Sequence, residues 1–341
     1  MQGAPSPTRS FTVDLAVIVV SANDAHWLEG CLSSVFAHAG PLDLEVFVVD
    51  NASTDGTREL VRSRFPQVRV IDSPNLGFAY GNNRALERTR ARYALLLNPD
   101  TAILRGTLAG LLAALDAQPR VGVAGVRQID PHGALLPTIR RFPHAGRALG
   151  EALGSERWPL HPAWAGERVL DPAAYERECD CDWVVGSFLL ARREALLGAG
   201  LLDERFFLYC EEPDLCLRVA RAGWRVRHLP QLTIRHHAGK GGVRPRMLAQ
   251  ETFARRQYAR KHFAPVHREL YLGALGVRHA LRAALAWGPG GEARQRRAAA
   301  LRALRSLGPS SRPPFVVPPP TACKSASATR VPVVKAHDPA E

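Results

Sequence analysis

Neither of the two common glycine-rich phosphate cradles is present. The chain has no G-x-x-x-x-G-K-[ST] run and no G-x-G-x-x-G run, so any phosphate it binds must be neutralised by other means. Long apolar runs are missing too: the stretches 108–115 and 270–287 are too short or are interrupted by Arg278 and Arg282, which excludes a bilayer-spanning helix there. The first residues show no charged segment followed by a long apolar one, which argues against a secretory signal. Six cysteines are scattered through 341 residues, and Cys179 and Cys181 have no second pair at zinc-site spacing. Free thiols in a reducing, cytoplasmic compartment are expected.

What the chain has in excess is basic charge, concentrated in one place. Of the net +13, about −1 belongs to residues 1–239, about +2 to residues 309–341, and about +12 to residues 240–308, where fifteen Lys/Arg face three Glu. A basic helical segment suits an anionic membrane surface, an acidic partner or nucleic acid, and equally a solvated helix face. The stretch carries no recognised nucleic-acid-binding motif, so no nucleic-acid partner is expected. A peripheral position on the cytoplasmic face of the inner membrane is the expectation it motivates.

Periodicity divides the rest. Apolar β-branched runs at residues 15–20, 44–49, 68–71 and 93–97 alternate with helical spacing at 25–38, after Gly56, at 78–90 and at 104–115. Strands apolar on both faces and separated by helices predict an α/β fold: a mostly parallel, doubly wound sheet with helices on both faces. Residues 1–10 read as a loose start. The main domain covers 11–242, with halves at about 11–126 and 127–242; a basic helical extension covers 243–308. Residues 309–341, rich in Pro and Ser, read as a disordered tail. Residues 140–180 show little periodicity and fit either a mobile excursion over the site or a plain surface loop. A further strand is expected at 183–190, a helix from Glu211, and a short strand at 232–235.

In such sheets ligands bind beyond the carboxyl ends of the strands. The residues there are Ser21 and Asn23, then Asp50, Asn51, Ser53 and Asp55, then Asp72, Asn75 and Gly77, then Asn98 and Asp100. A carboxylate at the end of a buried strand, as in Asn98-Pro-Asp100, supplies hard oxygen for Mg²⁺ or Mn²⁺ against a diphosphate; the same three residues also make an ordinary turn. Glu211, Glu212 and Asp214 place three carboxylates in four residues. They suit a helix N-terminus, and clustered in a cleft they raise one another's pKa, as a general base on a hydroxyl requires. His236 and His237 can complete a metal site or simply be solvated.

The order of these motifs carries a resemblance. Val-Val-Asp50-Asn51-Ala-Ser53-x-Asp55-Gly56-Thr, Asn75-x-Gly77-Phe78-Ala-x-Gly81-Asn82-Asn83, Asn98-Pro-Asp100-Thr101, Trp183-x-x-Gly186, the Asp203 to Arg218 run with Glu211-Glu212-x-Asp214, Ala222-Gly223-Trp224 and His236 together resemble the family-2 inverting glycosyltransferases of the GT-A fold. More narrowly, they are similar to the bacterial rhamnosyltransferase-like branch. The resemblance spans about residues 13–242 and leaves out the basic helices and the tail. It implies transfer of rhamnose or another hexose from a dTDP- or UDP-linked donor to a glycan or lipid-linked glycan acceptor in cell-surface glycan synthesis. It further implies that Asp50 accepts from the ring N–H of the base, with Ser21, Asn23, Asn51 and Ser53 beside it, and that Asn75, Gly77 and Asn82 line the nucleotide. Asp100 is then the metal contact, Asn98 lies near the ribose or sugar, His236 is a late metal or diphosphate ligand, Trp183 and Gly186 wall the acceptor and sugar, and Glu212 is the base.

Two positions depart from the pattern. Glu212 stands where the family usually has Asp, one methylene shorter, which leaves the base assignment open among Glu211, Glu212 and Asp214. Ala22 stands where an aromatic residue is general. A non-catalytic nucleotide-sugar-binding protein is the alternative this allows, while a nucleotidyltransferase would need a glycine- and lysine-rich triphosphate loop that is not seen.

Overall fold

The computed structural model describes residues 13–158, 161–237, 244–286, 290–308 and 311–315. The expected loose start at 1–10, Cys323 and most of the expected tail lie outside them. The alternation begins as read from the sequence: β1 (Leu15–Ser21), α1 (Ala25–Ala37), β2 (Leu44–Asn51), α2 (Thr57–Arg64), β3 (Arg69–Ser73), α3 (Phe78–Leu86) and β4 (Tyr93–Leu97). These four strands are parallel, in the order β3-β2-β1-β4. Because side chains alternate across a strand, β1 feeds two cores. Leu15, Val17 and Val19 pack with Leu28, Leu32, Val61, Leu111 and Leu112 on one face. Ala16, Ile18 and Val20 pack with Ala79, Leu86, Leu196 and Val219 on the other.

Beyond β4 the sheet is mixed. β5 (Thr101–Arg105) is followed by α4 (Leu108–Asp116) and β6 (Val121–Ile129). The helix expected from Leu104 therefore begins four residues later, at Leu108; Gly106, at φ +85°, turns the chain, and the Thr107 side chain caps α4 by accepting from Gly110 N–H at 3.1 Å. The next elements are β7 (Ile139–Arg140), α5 (Ala145–Ala152), β8 (Cys179–Asp180), β9 (Trp183–Val184), β10 (Phe188–Arg192), α6 (Arg193–Ala199), α7 (Glu211–Arg221) and β11 (Arg225–His236). The sheet continues β4-β10-β6-β11-β5, with β10 antiparallel to both neighbours, β11 parallel to β6 and β5 antiparallel to β11. The single strand expected over 183–190 is thus two, broken at Gly186.

Residues 140–180 are no bare excursion, since they carry β7, α5, β8 and two short 3₁₀ turns. Their anchor is the basic extension, which forms α8 (Pro245–His262), α9 (Pro265–Leu285) and α10 (Gly291–Ser306). Ala148 of α5 shares a small core with Ala259, Tyr271 and Leu275. Of the tail, residues 311–315 are placed: Phe315 stacks on Phe207 at 4.4 Å and takes the Arg246 guanidinium over its ring at 3.9 Å. The described cysteines are free thiols. No described helix is long and apolar enough to cross a membrane.

A buried cluster locks α8 to α7. Asp214, fully buried, accepts from Arg218 Nε at 2.9 Å and lies 2.7 Å from His262 Nε2 and 2.5 Å from Lys261 Nζ. Burial alone would raise this carboxyl, but His262, Arg218 and Lys261 outweigh it and hold the pKa below its ordinary value. A group depressed in this way stabilises the fold fully above its unfolded pKa and loses that stabilisation as pH falls through the native one. Replacing Asp214 with Ala should cost about 3–5 kcal/mol at neutral pH by stranding buried cations, and thermal melts should show the deficit shrinking below about pH 4. A deficit independent of pH would contradict this account.

Candidate active site

The Asn98-Pro-Asp100 turn is held from three sides. Asn98 N–H donates to the Ser187 carbonyl at 3.1 Å, and the Asn98 carbonyl accepts from Thr101 Oγ1 at 2.7 Å and Cys31 Sγ at 3.6 Å. Directly after it, β5 pairs with β11 so that Thr101 stands opposite His236. That register brings His236 Nε2 to 3.3 Å from Asp100 Oδ1, with both side chains mostly buried, and His237 N–H donates to the Asp100 carbonyl at 3.0 Å. Burial pushes the Asp100 carboxyl up, but the hydrogen bond and charge of His236 more than offset it and leave Asp100 ionised well into the acid range.

The acidic turn begins with strain. Tyr209 and Cys210 sit at φ +70° and +68°, a left-handed conformation uncommon for non-glycine residues and concentrated at functional sites. They aim the first turn of α7 at the gap between β9 and β10. There Glu212 Oε1 accepts from Gly186 N–H at 2.9 Å, and a Cβ on residue 186 would stand 2.7 Å from that oxygen. Glu211 is 2% exposed and its Oε2 has no hydrogen-bond partner. Burial, then the Glu212 charge, push the Glu211 carboxyl well above its ordinary range; burial also raises Glu212, against the opposing Gly186 N–H and Arg140 charge.

Asn98, Asp100, Trp183, Gly186, Glu211, Glu212 and His236 all line one cavity of about 490 Å³. Seven positions from four distant stretches of chain thus meet. Asp214 does not join them, because its carboxylate is consumed by Arg218, Lys261 and His262. Trp183 is fixed by donating from Nε1 to the Arg141 carbonyl at 2.9 Å.

The residues expected around a nucleotide sit at the parallel strand ends. Asp50 and Ser53 line a second concavity of about 540 Å³ with Arg58 and Asp72. Asp50 is 1% exposed, accepts from Ser53 N–H at 3.3 Å and pairs with Arg58 Nε at 3.3 Å. Arg58 escaped the sequence reading, although its place in the first turn of α2 just after the Asp50 loop was a usable signal. Asn23, at φ +60°, bonds across to Ser53 and Thr54. Ser21 Oγ, Asn51 Oδ1 and Asn82 Oδ1 are buried without partners among the described residues, a state uncommon for buried polar atoms. Asn75 is exposed. Gly77, at φ +105°, lies against Phe207, whose carbonyl would be 2.1 Å from any Cβ there, so it clasps the loop after β3 to the segment leading into Glu211.

Asp100 and His236 suit a hard divalent ion. Among the described residues no group of three or more His, Cys, Asp or Glu could hold a metal, but Mg²⁺-like ions keep several waters and substrate phosphates as ligands and need only one or two protein donors. An ionised carboxylate beside an imidazole nitrogen in a polar cavity meets that need.

A mixed α/β sheet with this cavity at its strand ends is the architecture of GT-A glycosyltransferases, and the mannosyltransferase PcManGT from Pyrobaculum calidifontis, solved with GDP-Man and Mn²⁺, superposes with a TM-score of 0.51 at 20% identity, covering 89% of this chain and 88% of that one. The model of glycosyl transferase family 2 matches residues 16–157. The N-acetylglucosaminyl-diphospho-decaprenol L-rhamnosyltransferase of Mycobacterium tuberculosis is 32% identical over 238 residues, which are 65% of this chain and 76% of the relative. Rhamnosyltransferase WbbL of Escherichia coli K12 is 22% identical over 231 residues, 65% of this chain and 83% of the relative. The chain belongs to glycosyltransferase family 2, in its rhamnosyltransferase-like branch.

Gly186→Ala should push the Glu212 carboxylate from its seat. Sugar transfer is expected to fall by about a hundredfold, the scale of a ~1 Å misplacement, with an unchanged circular dichroism spectrum. Full activity in that variant would show that the position of Glu212 is immaterial.

Proposed function

We propose that this glycosyltransferase moves a sugar from a dTDP- or UDP-linked donor to a hydroxyl of a glycan or lipid-linked glycan acceptor, with inversion, using Mg²⁺ or Mn²⁺ and Glu212 as general base. The observation that carries the reading is the single cavity shared by the Asp100–His236 pair and Glu212. Rhamnose on dTDP is the first donor to try, because both relatives are named for rhamnose transfer. A sugar-diphospho-lipid is the first acceptor to try, on the name of the mycobacterial relative.

In this reading Asp50 accepts from the base N–H, supported by Ser21, Asn23, Asn51 and Ser53, while Asn75, Gly77 and Asn82 line the nucleotide and its phosphates. Asp100 and His236 hold the divalent ion, whose charge, when bound, would stabilise the leaving diphosphate. Asn98 faces the ribose or sugar, and Trp183 and Gly186 wall the acceptor. Glu212 removes the acceptor proton as the hydroxyl attacks the anomeric carbon from the face opposite the leaving group, so that one displacement inverts configuration. The extra methylene of Glu212 is accommodated because residue 186 has no side chain, and the Gly186 N–H holds the carboxylate end. Burial and the Glu212 charge push Glu211 well above the ordinary carboxyl range, so of the two it is the one that more strongly resists ionisation.

Glu212→Gln should lower kcat by about 10²–10⁴, with Glu211→Gln retaining transfer. A base works deprotonated, so kcat/KM should fall as pH drops through the Glu212 pKa, on a limb above the ordinary carboxyl value of 4.5. Transfer that survives in Glu212→Gln at every pH would remove the base assignment. A wild-type protein inert with every donor, acceptor and Mn²⁺ would favour the non-catalytic binder.

The basic helices support a place on the cytoplasmic face of an anionic membrane. α9 exposes Val266, Leu270, Val277 and Leu281 along one side, beside the excess of Lys and Arg, which is the amphipathic pattern of an interfacial helix. In liposome sedimentation the protein should pellet with anionic vesicles and stay in solution with neutral ones; equal partitioning would remove the idea.

A further inference from the structure

The cavity does not end at the acidic turn. It continues among α5, α8 and α9, where Glu151, Glu167, Glu251, Arg140, Arg255 and Arg278 line it. Most of these charges are matched. Arg255 meets Glu167 at 2.6 Å and Glu251 at 3.1 Å, and Arg278 meets Glu151 at 3.1 Å.

Arg140 is the exception. No carboxylate among the described residues lies within ion-pairing distance of it, and its Nε is buried without a hydrogen-bond partner. Its guanidinium rests against the Trp183 ring, 5.5 Å from the centroid. The nearby Glu167 carboxylate is already engaged by Arg255. Burial first, and then the charge of Arg168, push the Arg140 guanidinium below its ordinary range. A partly buried cation whose nearest carboxylates are engaged elsewhere is costly to the fold, and a cost of this kind persists most readily where a ligand supplies a further anion.

Its place defines which ligand. Arg140 on β7 stands opposite Trp183 on β9, and Gly186, which seats Glu212, follows three residues after Trp183. The charge of Arg140 reaches Glu212 itself. Arg140 lines the cavity of Glu212 and is absent from the lining of the strand-end concavity of Asp50. We propose that Arg140 is the anion-binding residue of the acceptor subsite, receiving a phosphate attached to the acceptor sugar, so that the enzyme selects sugar phosphates over neutral glycosides. A planar guanidinium offers the paired N–H donors that match phosphate oxygens. The proposal rests on the reading of Glu212 as base, which tells acceptor side from donor side.

The test uses the full chain, saturated with UDP and Mn²⁺ so that the donor end is filled. It is titrated with three probes: N-acetylglucosamine 1-phosphate, a short-chain prenyl diphosphate of the same sugar, and the neutral octyl glycoside. Arg140→Gln should weaken phosphate-bearing probes at least tenfold while leaving the octyl glycoside and UDP unchanged, and Arg140→Lys should fall between. Loss with both phosphate probes assigns recognition to the phosphate itself; loss with the prenyl diphosphate alone assigns it to the lipid-linked form, and either supports the proposal. Equal binding of phosphate probes by wild type and Arg140→Gln, or no preference of the wild type for them over the neutral glycoside, would overturn it. Because no carboxylate among the described residues pairs with Arg140, the Gln variant should fold, as its circular dichroism will show; if it does not, the Lys variant is read in the same way. Binding is read without turnover, so active Glu212→Gln protein would sink the base assignment separately from this result.

Discussion

Thr101 and His236 face each other in the antiparallel ladder between β5 and β11, and the chemistry of the site hangs on that register. The chain leaves β4 through Asn98-Pro-Asp100 and at once enters the edge strand, so Asp100 has no freedom to choose its surroundings. β11 then delivers an imidazole to within 3.3 Å of its carboxylate. A slip by one residue would turn His236 to the other face of the sheet and leave Asp100 alone. Backbone hydrogen bonds that carry no chemistry thus decide where the charged groups meet.

The acidic turn shows how position divides identical chemistry. Glu211, Glu212 and Asp214 lie within one turn of α7, yet each has a different fate. Asp214 faces α8 and is surrounded by cations, so it is ionised and structural. Glu211 is buried with its Oε2 unpartnered beside the Glu212 charge, and is driven toward its neutral form. Glu212 faces the cavity with one backbone N–H for support. The two left-handed residues before the helix set this rotation, and the close approach of Gly77 to Phe207 holds the preceding segment in place.

The C-terminal helices are more than an appendage. Arg255 and Arg278 reach from α8 and α9 to Glu167 and Glu151 in the 140–180 region, so the basic extension closes the far arm of the cavity as well as offering an outer surface. Arg255 illustrates the point. Its side chain bridges two carboxylates and bonds Tyr271 at 3.0 Å, tying Glu167 of the 140–180 region to α8 and α9.

Local chemistry made much of this legible beforehand. Continuous apolar runs announced β1, β2 and β4, and the helix from Glu211 and the basic helices were visible in their spacing, because burial on both faces of a strand or one face of a helix imposes that pattern on the residues themselves. The polar strand ends were visible for the same reason. Leu104 and Arg105 read as the start of a helix because Leu104 continues the apolar spacing of α4, and only pairing with β11 makes them the end of the strand Thr101–Arg105. The sequence by itself determined which segments could bury a face and which residues could carry charge at their ends. Only the tertiary structure decided that Asp214 is sealed away, that Asp50 is paired with Arg58 and that no described carboxylate pairs with Arg140, since a side chain's partners come from remote segments whose approach no local pattern encodes.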